Sequence, residues 1–548
     1  MGIDRRGLLI GGITAAAAGP LVAVPDATAQ VAALWTEYSS APYRHAQIPH
    51  VSFAGYRYGA ARPAPAVRAN VLDYGAKPDG SANAAPAINR AIEDVGKAGG
   101  GAVLVPAGTF RVDDVIRVGY DNVVLRGAGR SATTLFMTRS LEQIIGINRS
   151  RHSSNSNSAW SWSGGLVWVC HRDRYRALTD AIRAQQWPME RWAGNEGGQT
   201  RQLTTVTITA RRGDFSLTVG SATGLTVGQR VMLQLSDDSG HSLLRHIAGD
   251  VSGASSYDWA SRDKLLFWLP VLWPVRIAAI SGNRVTLDQP LPLDARTAWR
   301  PMLVVPLVPP VVGSGVEKLT IRMTPTPAPS HLQDKGYNGI AFQCAWDCWA
   351  DDVAVVDSDN GILLVSAKGV TISRTSVTGR GRHHSYACRE QSHDNLFTDF
   401  QVGAPTSSGG SHHGINVEAL SCGNVWSKGN MAAGTFDTHR GMPFNNVRTE
   451  IVINNNSSHG GDSSSGPLYG ARFTHWNVTV TNGRAGGVKI DTVAPRSATV
   501  GISTVRDFGQ IDKPDFSGSL GSRLESYGNP AVSPPNLYLA QRQLRLGN

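Results

Sequence analysis

Asn70-Val71-Leu72-Asp73-Tyr74-Gly75-Ala76, Ala102-Val103-Leu104-Val105-Pro106-Ala107-Gly108-Thr109-Phe110 and Asn122-Val123-Val124-Leu125-Arg126-Gly127-Ala128-Gly129 are three short apolar runs, each closed or broken by Gly or Pro. That is the pattern of short strands ended by turns. Between the first two, Asn83 to Val95 places Ala85, Ile88, Ala91, Ile92 and Val95 at helical spacing, and Gly99-Gly100-Gly101 stops the run. The stretch therefore reads strand, helix, strand, strand.

The rest of the chain agrees with a repetitive β protein. Its 548 residues are too many for one ordinary core, so several domains or one elongated repetitive body is expected. A hydrophobic share of 41% excludes wholesale disorder, and 60 Gly with 29 Pro but no Gly-X-Y period exclude collagen. Lys plus Arg is 52 against 42 Asp plus Glu, a net charge of +10. Such an excess suits acidic partners (uronate polymers, sulfated glycans, nucleic acid) and equally serves solubility. No Lys/Arg run, zinc-finger spacing or phosphate loop is present, so a nucleic-acid partner is not expected. Five cysteines, Cys170, Cys344, Cys348, Cys388 and Cys422, are too few for a disulfide scaffold and read as buried thiols, although Cys344 and Cys348 are close enough in sequence to pair.

The opening block resembles the pectate-lyase-like superfamily. A strand ending in D-x-G-A, an amphipathic helix, a G-G-G-x-V-x-[VL]-P-x-G-x-[FY] strand and a v-x-[LI]-x-G-x-G turn stand here in the superfamily's order over residues 68 to 130. The resemblance implies an all-β fold, a right-handed single-stranded parallel β-helix with an N-terminal capping helix; the strand patterns over 200–300 add the expectation of an inserted small β-barrel-like domain. It implies little about substrate, because lyases, hydrolases, transferases and phage spike enzymes share the signature.

Asp4-Arg5-Arg6-Gly7-Leu8-Leu9-Ile10 resembles a twin-arginine export signal, followed by an apolar stretch to Val24 and a small-residue cleavage site at Ala27-Thr28-Ala29. Gly11, Gly12, Gly19 and Pro20 make that stretch too weak for a stable membrane span, and no later one is long enough. The expectation is an exported protein, periplasmic or extracellular, with no membrane segment in the mature form.

The expected organisation is a signal (1–29), an N-terminal arm (30–68), the first coils with their capping helix (69–145), an insertion (146–311), the main β-helix (312–507) and a tail packed on its outside (508–548). The insertion begins Trp-rich (Trp160, Trp162, Trp168, Trp187, Trp192), with a helix near Tyr175 to Gln186, and continues as a small β unit over 200–300. Its tryptophans suit sugar-ring stacking, and more of them suit packing of the insertion. Main-helix strands are expected to start at Val353, Val370, Leu396, Val425, Val447 and Phe473, with Gly369, Asn395, Asn424 and Asn446 preceding four of them.

Stacked coils turn distant residues into ladders about 4.8 Å apart. Aligning Asn395 with Asn424 pairs Tyr386 with Ile415, Cys388 with Val417 and Arg389 with Glu418. The next coil sets Asp437 beside Asn416 and His439 beside Glu418, with Arg440 at the strand end. Arg382-His383-His384 and His412-His413-Gly414 stack just upstream, and seven of the fifteen histidines lie between His383 and His459. Such a cluster favours a site over a solvated salt-bridge ladder. The catalytic candidates are His439, Asp437, Arg440, His413, Glu418, His384 and Arg389. The substrate-binding candidates are His383, His412, Asn416, Arg382 and His459.

Three functions fit. The first is β-elimination on an acidic, uronate-containing polysaccharide, with His384, His413 or His439 as base and Arg389 and Arg440 neutralising the carboxylate. The resemblance implies Ca²⁺ with an Arg or Lys base for such lyases, yet the Asp cluster that would mark this is missing. No cofactor is dictated, and a divalent metal such as Ca²⁺ remains compatible. The second is glycoside hydrolysis by Asp437 and Glu418. The third is a glycan-binding surface without catalysis. An outward-facing His439 is expected to be dispensable for stability. Oligomeric state is not legible.

Overall fold

The computed structural model of the chain describes residues 29–150, 156–188, 191–192, 199–409, 412–456, 460–504, 512–529 and 531–547. The export segment through Thr28 lies outside the described residues, as does His459.

The first strand is Val67–Asn70, and Val71–Tyr74 departs from the strand reading by curling into a 3-10 turn. The cause is local: the Asn70 side chain accepts the Leu72 N–H, and Gly75 closes the turn at φ 90°. The helix is Ala85–Lys97, and its buried face of Ala85, Ala87, Ile88, Ala91, Ile92 and Val95 shares one core with Val103, Ile116 and Leu125. Gly100 sits at φ 103°, where an added Cβ would fall 2.6 Å from the Asn122 carbonyl oxygen, so the chain can leave the helix here only through glycine.

From this cap the chain winds as a right-handed parallel β-helix. One face pairs Val67–Asn70, Gly101–Val105, Val123–Gly127, Gly315–Met323 and Trp349–Val356 in parallel, one after the next. It continues through Thr371–Ser373, Leu396–Thr398, Val425–Met431, Val447–Ile453, Thr474–Val480 and Ala498–Thr504 to Arg523–Tyr527. The register aligns Trp349, Thr371, Leu396, Val425, Val447 and Thr474. The expected starts at Val370 and Phe473 are thus one residue early, and Val353 lies inside its strand. Arg523–Tyr527 forms a rung inside the stretch read as tail; as the last, partly exposed rung it has the polar sequence Arg-Leu-Glu-Ser-Tyr, which carries no strand pattern.

The recurrent asparagines explain the register. Asn395 Nδ2 donates to Asn424 Oδ1 at 2.9 Å, and Asn424 Nδ2 to Asn446 Oδ1 at 3.0 Å, all three side chains buried. Each amide satisfies its neighbour inside the turn, so a one-residue slip would strand buried polar groups.

A second face carries seven strands: Ile116–Val118, Val167–Val169, Asn338–Gln343, Asn360–Val365, His384–Arg389, Gly414–Val417 and Thr435–Asp437. A shorter amide ladder leads into it, Asn360 Nδ2 donating to Asn338 Oδ1 at 3.0 Å while Asn360 Oδ1 accepts the His384 N–H at 3.2 Å.

The insertion supplies the helix Arg172–Arg183 and an antiparallel sheet running from Thr200–Thr205 to Met302–Pro306. A Val206–Val219 bridge joins the sheet's two edge regions, which makes it barrel-like. Its core residues Leu233, Trp273 and Trp299 are continuous with Ala419, Leu420, Met442 and Phe444 of the coils. The insertion therefore docks on the turns beside the second face. At the other side the C-terminal helix Leu537–Leu546 and the arm residues Leu34, Tyr38, Ile48 and Val51 cover Val447, Trp476 and Val500. All five cysteines are buried and outside any disulfide. Among the described residues no helix is long and apolar enough to cross a membrane.

Candidate functional site

Three successive coils of the second face meet at the histidine cluster. His384 aligns with Gly414, which aligns with Thr435, and Asn416 aligns with Asp437. Asp437 is fully buried, and its Oδ2 is surrounded by imidazoles: His439 Nδ1 at 3.1 Å, His384 Nε2 at 3.5 Å and His413 Nδ1 at 3.7 Å. Its other oxygen, Oδ1, accepts the Gly460 N–H at 3.2 Å. The rings of His384 and His413 stack with centroids 5.2 Å apart, and His383 stacks on His384 at 4.1 Å.

Burial shapes the charge here. Burial and then the neighbouring His383 hold His384 well below the usual imidazole range. Burial would push the Asp437 carboxyl up, but His413 and His439 outweigh it and hold it well below the carboxylate range. For His439 burial again works downward, and Asp437 reverses it, so His439 is raised.

The row Arg389, Glu418, His439 exists, but it is not a solvated ladder. Arg389 Nε donates to Glu418 Oε1, with side-chain exposures of 7% and 4%, and His439 keeps 15%. The expectation of a freely exposed His439 is therefore corrected, because loops and the insertion roof this face and leave the ring only partly exposed beneath them. The roof is also what encloses a cavity of about 620 Å³, lined by Arg389, Glu390, Glu418 and His439 from the coils. Arg149, Trp162, Arg191, Lys264, Phe267, Trp268, His331 and Asp462 complete its walls. Its size matches ordinary ligand clefts. Arg389 also donates to the Trp162 carbonyl at 2.6 Å.

The other candidates fall behind or beside this cavity. His383, His384, His412, His413, Arg382 and Asn416 are all buried, and none lines it. Arg382 is consumed by Ser385 Oγ and the carbonyls of Arg380 and Gly403, so a substrate-binding role is corrected to a structural one. Asn416 bridges neighbours, its Oδ1 accepting the His439 N–H at 3.4 Å and its Nδ2 donating to Glu418 Oε2 at 3.3 Å. Arg440 is spent on the carbonyls of Gly461 and Gly466 and on Asp515, all at 3.3 Å, which removes it from carboxylate neutralisation. Asp437, turned to three imidazoles and fully buried, is not placed to act on a molecule in the cavity with Glu418, which corrects the hydrolytic pairing of the two.

Residues far away in sequence complete the site. His331 is exposed at the cavity wall, its ring 5.4 Å from His383, and burial followed by the charge of His439 lowers its pKa. Arg149 and Arg191 add positive charge from the insertion side, while Lys264 is paired at 2.8 Å with Asp462 of the same wall. Arg448, fully buried inside the coils among Trp426, Phe436 and Phe473, donates to the Asp437 carbonyl at 3.1 Å. No periodicity marks His331, Arg149, Arg191 or Lys264, since their contribution depends on where the insertion and loops fold back, whereas Arg448 stands on a coil strand near Asp437 in sequence, in register with Trp426 and His475.

Residues 68–236 match the model of the family described as Rhamnogalacturonase A/epimerase, pectate lyase-like, and residues 410–548 match a domain of unknown function, DUF4955. Over 95 residues the chain is 36% identical to Alginate lyase 7 of Azotobacter vinelandii, 16% of this chain and 11% of that protein. Over 96 residues it is 35% identical to Mannuronan C5-epimerase AlgE3 of the same organism, 16% of this chain and 5% of that one. The matched segment thus spans about a tenth or less of these relatives. Among solved structures, the tailspike gp61 of Pseudomonas phage phi297 superposes with TM-score 0.44 at 13% identity, covering 79% of this chain and 62% of that one. The A-module of Azotobacter vinelandii Mannuronan C-5 epimerase AlgE4 gives TM-score 0.35 at 12% identity, covering 85% and 96%. The matched segment, residues 68–236, is thus similar to pectate lyase-like proteins and takes in the cap, the first coils and part of the insertion.

Proposed function

We propose that the chain is a polysaccharide-acting enzyme that takes an acidic, uronate-containing polymer into the roofed cavity and cleaves it by β-elimination. The observation that carries this reading is the cavity wall itself, where an exposed imidazole, His331, shares the space with His439 and Arg389. Elimination begins with loss of the proton on the carbon α to the uronate carboxylate. It needs a neutral base, positive charge on the developing enolate and a donor to the leaving oxygen. His331 fits the base, being exposed and lowered in pKa. Arg149 and Arg191 at the wall supply the positive charge for the carboxylate, Arg389 being held by Glu418 and the Trp162 carbonyl. His439 commits Nδ1 to Asp437, so Nε2 is the ring nitrogen left to donate. Trp162, Phe267 and Trp268 offer apolar plates for sugar faces.

The names of the matched relatives, an alginate lyase and two C5-epimerases, fit this reading, because elimination and C5 epimerisation of a uronate share the same first proton abstraction. Export by the twin-arginine route belongs to the same proposal, as a polymer of this kind is met outside the cell. The test is a panel of uronate and neutral polysaccharides followed for ultraviolet absorbance of a new C=C bond, for reducing ends and for deuterium uptake from D₂O. Absorbance rising with reducing ends supports elimination. Deuterium uptake without chain cleavage moves the assignment to epimerisation. Reducing ends alone overturn both and leave hydrolysis by Glu390 and Glu418.

A further inference from the structure

We propose that His384, His413, His439 and Asp437 form a binding site for a single transition-metal dication of the zinc class. Each offers one donor atom, and the four atoms all lie within 4.8 Å of one another. They come from three adjacent coils whose register is set by backbone pairing and by the Asn338–Asn360 amide ladder that ends on the His384 N–H.

The distances favour a shared ion over shared protons. Donors about 2.0–2.1 Å from a tetrahedral zinc are separated by roughly 3.3–3.4 Å. Around Asp437 Oδ2 the imidazole nitrogens stand at 3.1, 3.5 and 3.7 Å. A charge-assisted N–H···O bond would be about 2.7–2.9 Å, and one carboxylate oxygen cannot serve three such donors well. Both ring nitrogens of His384 are buried without a hydrogen bond, a costly state, and an ion bound at Nε2 would relieve one of them.

The donor set selects the ion. Three imidazoles and one carboxylate do not suit Ca²⁺, which takes six to eight oxygens; they suit Zn²⁺ and its neighbours in the first transition row. The calcium that the sequence left open thus has no fitting cage in this cluster. Supports around the ligands are already in place. Gly460 N–H holds Asp437 Oδ1, Arg448 holds the Asp437 carbonyl, and Asn416 Oδ1 holds the His439 N–H. Asp334 lies 3.4 Å from His383 Nδ1, on the ring stacked against His384. Gly460 itself is required, since a Cβ there would sit 2.5 Å from His439 Nδ1. A dication at this point adds positive charge to the wall that His439 shares with the cavity.

The test needs no substrate, so it stands apart from the polysaccharide reading. The mature protein, purified without a histidine tag, is measured for metal by mass spectrometry. It is then stripped with chelator and titrated with Zn²⁺ in competition with a chromophoric chelator, and with Co²⁺ for the visible bands of tetrahedral nitrogen ligation. One equivalent of tight Zn²⁺, tetrahedral cobalt bands and a thermal midpoint that rises on zinc addition are expected. His384→Ala and Asp437→Asn are each expected to weaken zinc at least 10- to 100-fold. His439→Ala, on a partly exposed residue, serves as the variant that keeps its fold. No stoichiometric uptake by the folded wild-type protein overturns the proposal. So does zinc binding that survives His384→Ala and Asp437→Asn but is lost in His331→Ala, which would move the ion to His331, His383 and His413.

Discussion

Gly460→Ala tests the site without touching any reacting group. The backbone of Gly460 passes so close to His439 that an added Cβ would lie 2.5 Å from Nδ1 and closer still to Cε1. Ordinary contact is about 3.5 Å, so the imidazole must withdraw by about 1 Å. That movement separates Nδ1 from Asp437 Oδ2, now 3.1 Å away. A misplacement of this size costs on the order of 10²-fold in turnover, equivalent to about 2.7 kcal/mol of transition-state stabilisation. Folding should suffer little, because the ring can move into the cavity of about 620 Å³ that it lines. The assay is turnover on the uronate polymer identified by the screen, with thermal unfolding run on the same preparations. Turnover within threefold of wild type, with the fold intact, would refute the claim that the His439–Asp437 geometry matters to the chemistry.

Three further outcomes follow from other parts of the structure. His331→Gln should lower turnover by about 10²–10⁴-fold with an unchanged melting curve, as expected for loss of an exposed general base; unchanged turnover would remove His331 from the reaction. Arg389→Met should cost about 3–5 kcal/mol by leaving Glu418 buried and unpaired. Adding Glu418→Gln should restore much of that in denaturant unfolding, and no recovery would show that the ion pair is not what Arg389 supplies. Buried His393 donates from Nε2 to the Leu272 carbonyl at 2.9 Å and has its pKa pushed down to about 3, as has His50. Unfolding frees both to titrate near 6.5, so the unfolded state binds more protons below that pH, and stability falls as pH drops from about 6.5 toward 3. At pH 5 each should cost about 2 kcal/mol, and His393→Asn should flatten part of the slope; an acid limb of unaltered steepness would exclude His393 as a cause.

The fold was readable because its determinants are local or strictly periodic. The capping helix follows from apolar spacing over a single stretch, and Gly100 stops it for a reason visible at one residue. The asparagines before Leu396, Val425 and Val447 recur because each amide must satisfy the next coil's. The same logic set Tyr386 against Ile415 and Asn416 against Asp437, since parallel coils translate sequence alignment directly into contact. Where local chemistry competes with the pattern, the reading slipped: Asn70 capped a turn that looked like strand, and the polar last rung Arg523–Tyr527 carried no strand pattern.

What sequence alone determined, then, was the coil, the pairing of its asparagine-marked rungs and the histidine cluster on one face. Which members of that cluster meet a molecule in the cavity was decided by tertiary structure. An imidazole at a given rung is exposed or buried according to what the insertion and loops lay over it, and those segments obey no repeat. Burial withdrew His384 and His413 into a group around Asp437, while the fold-back of the 331 loop and of residues 264–268 brought His331 and Trp268 to the wall. The identity of an ordinary histidine is the same in both places. Only the solvent and the neighbours supplied by distant chain make one a candidate base and another a candidate ligand.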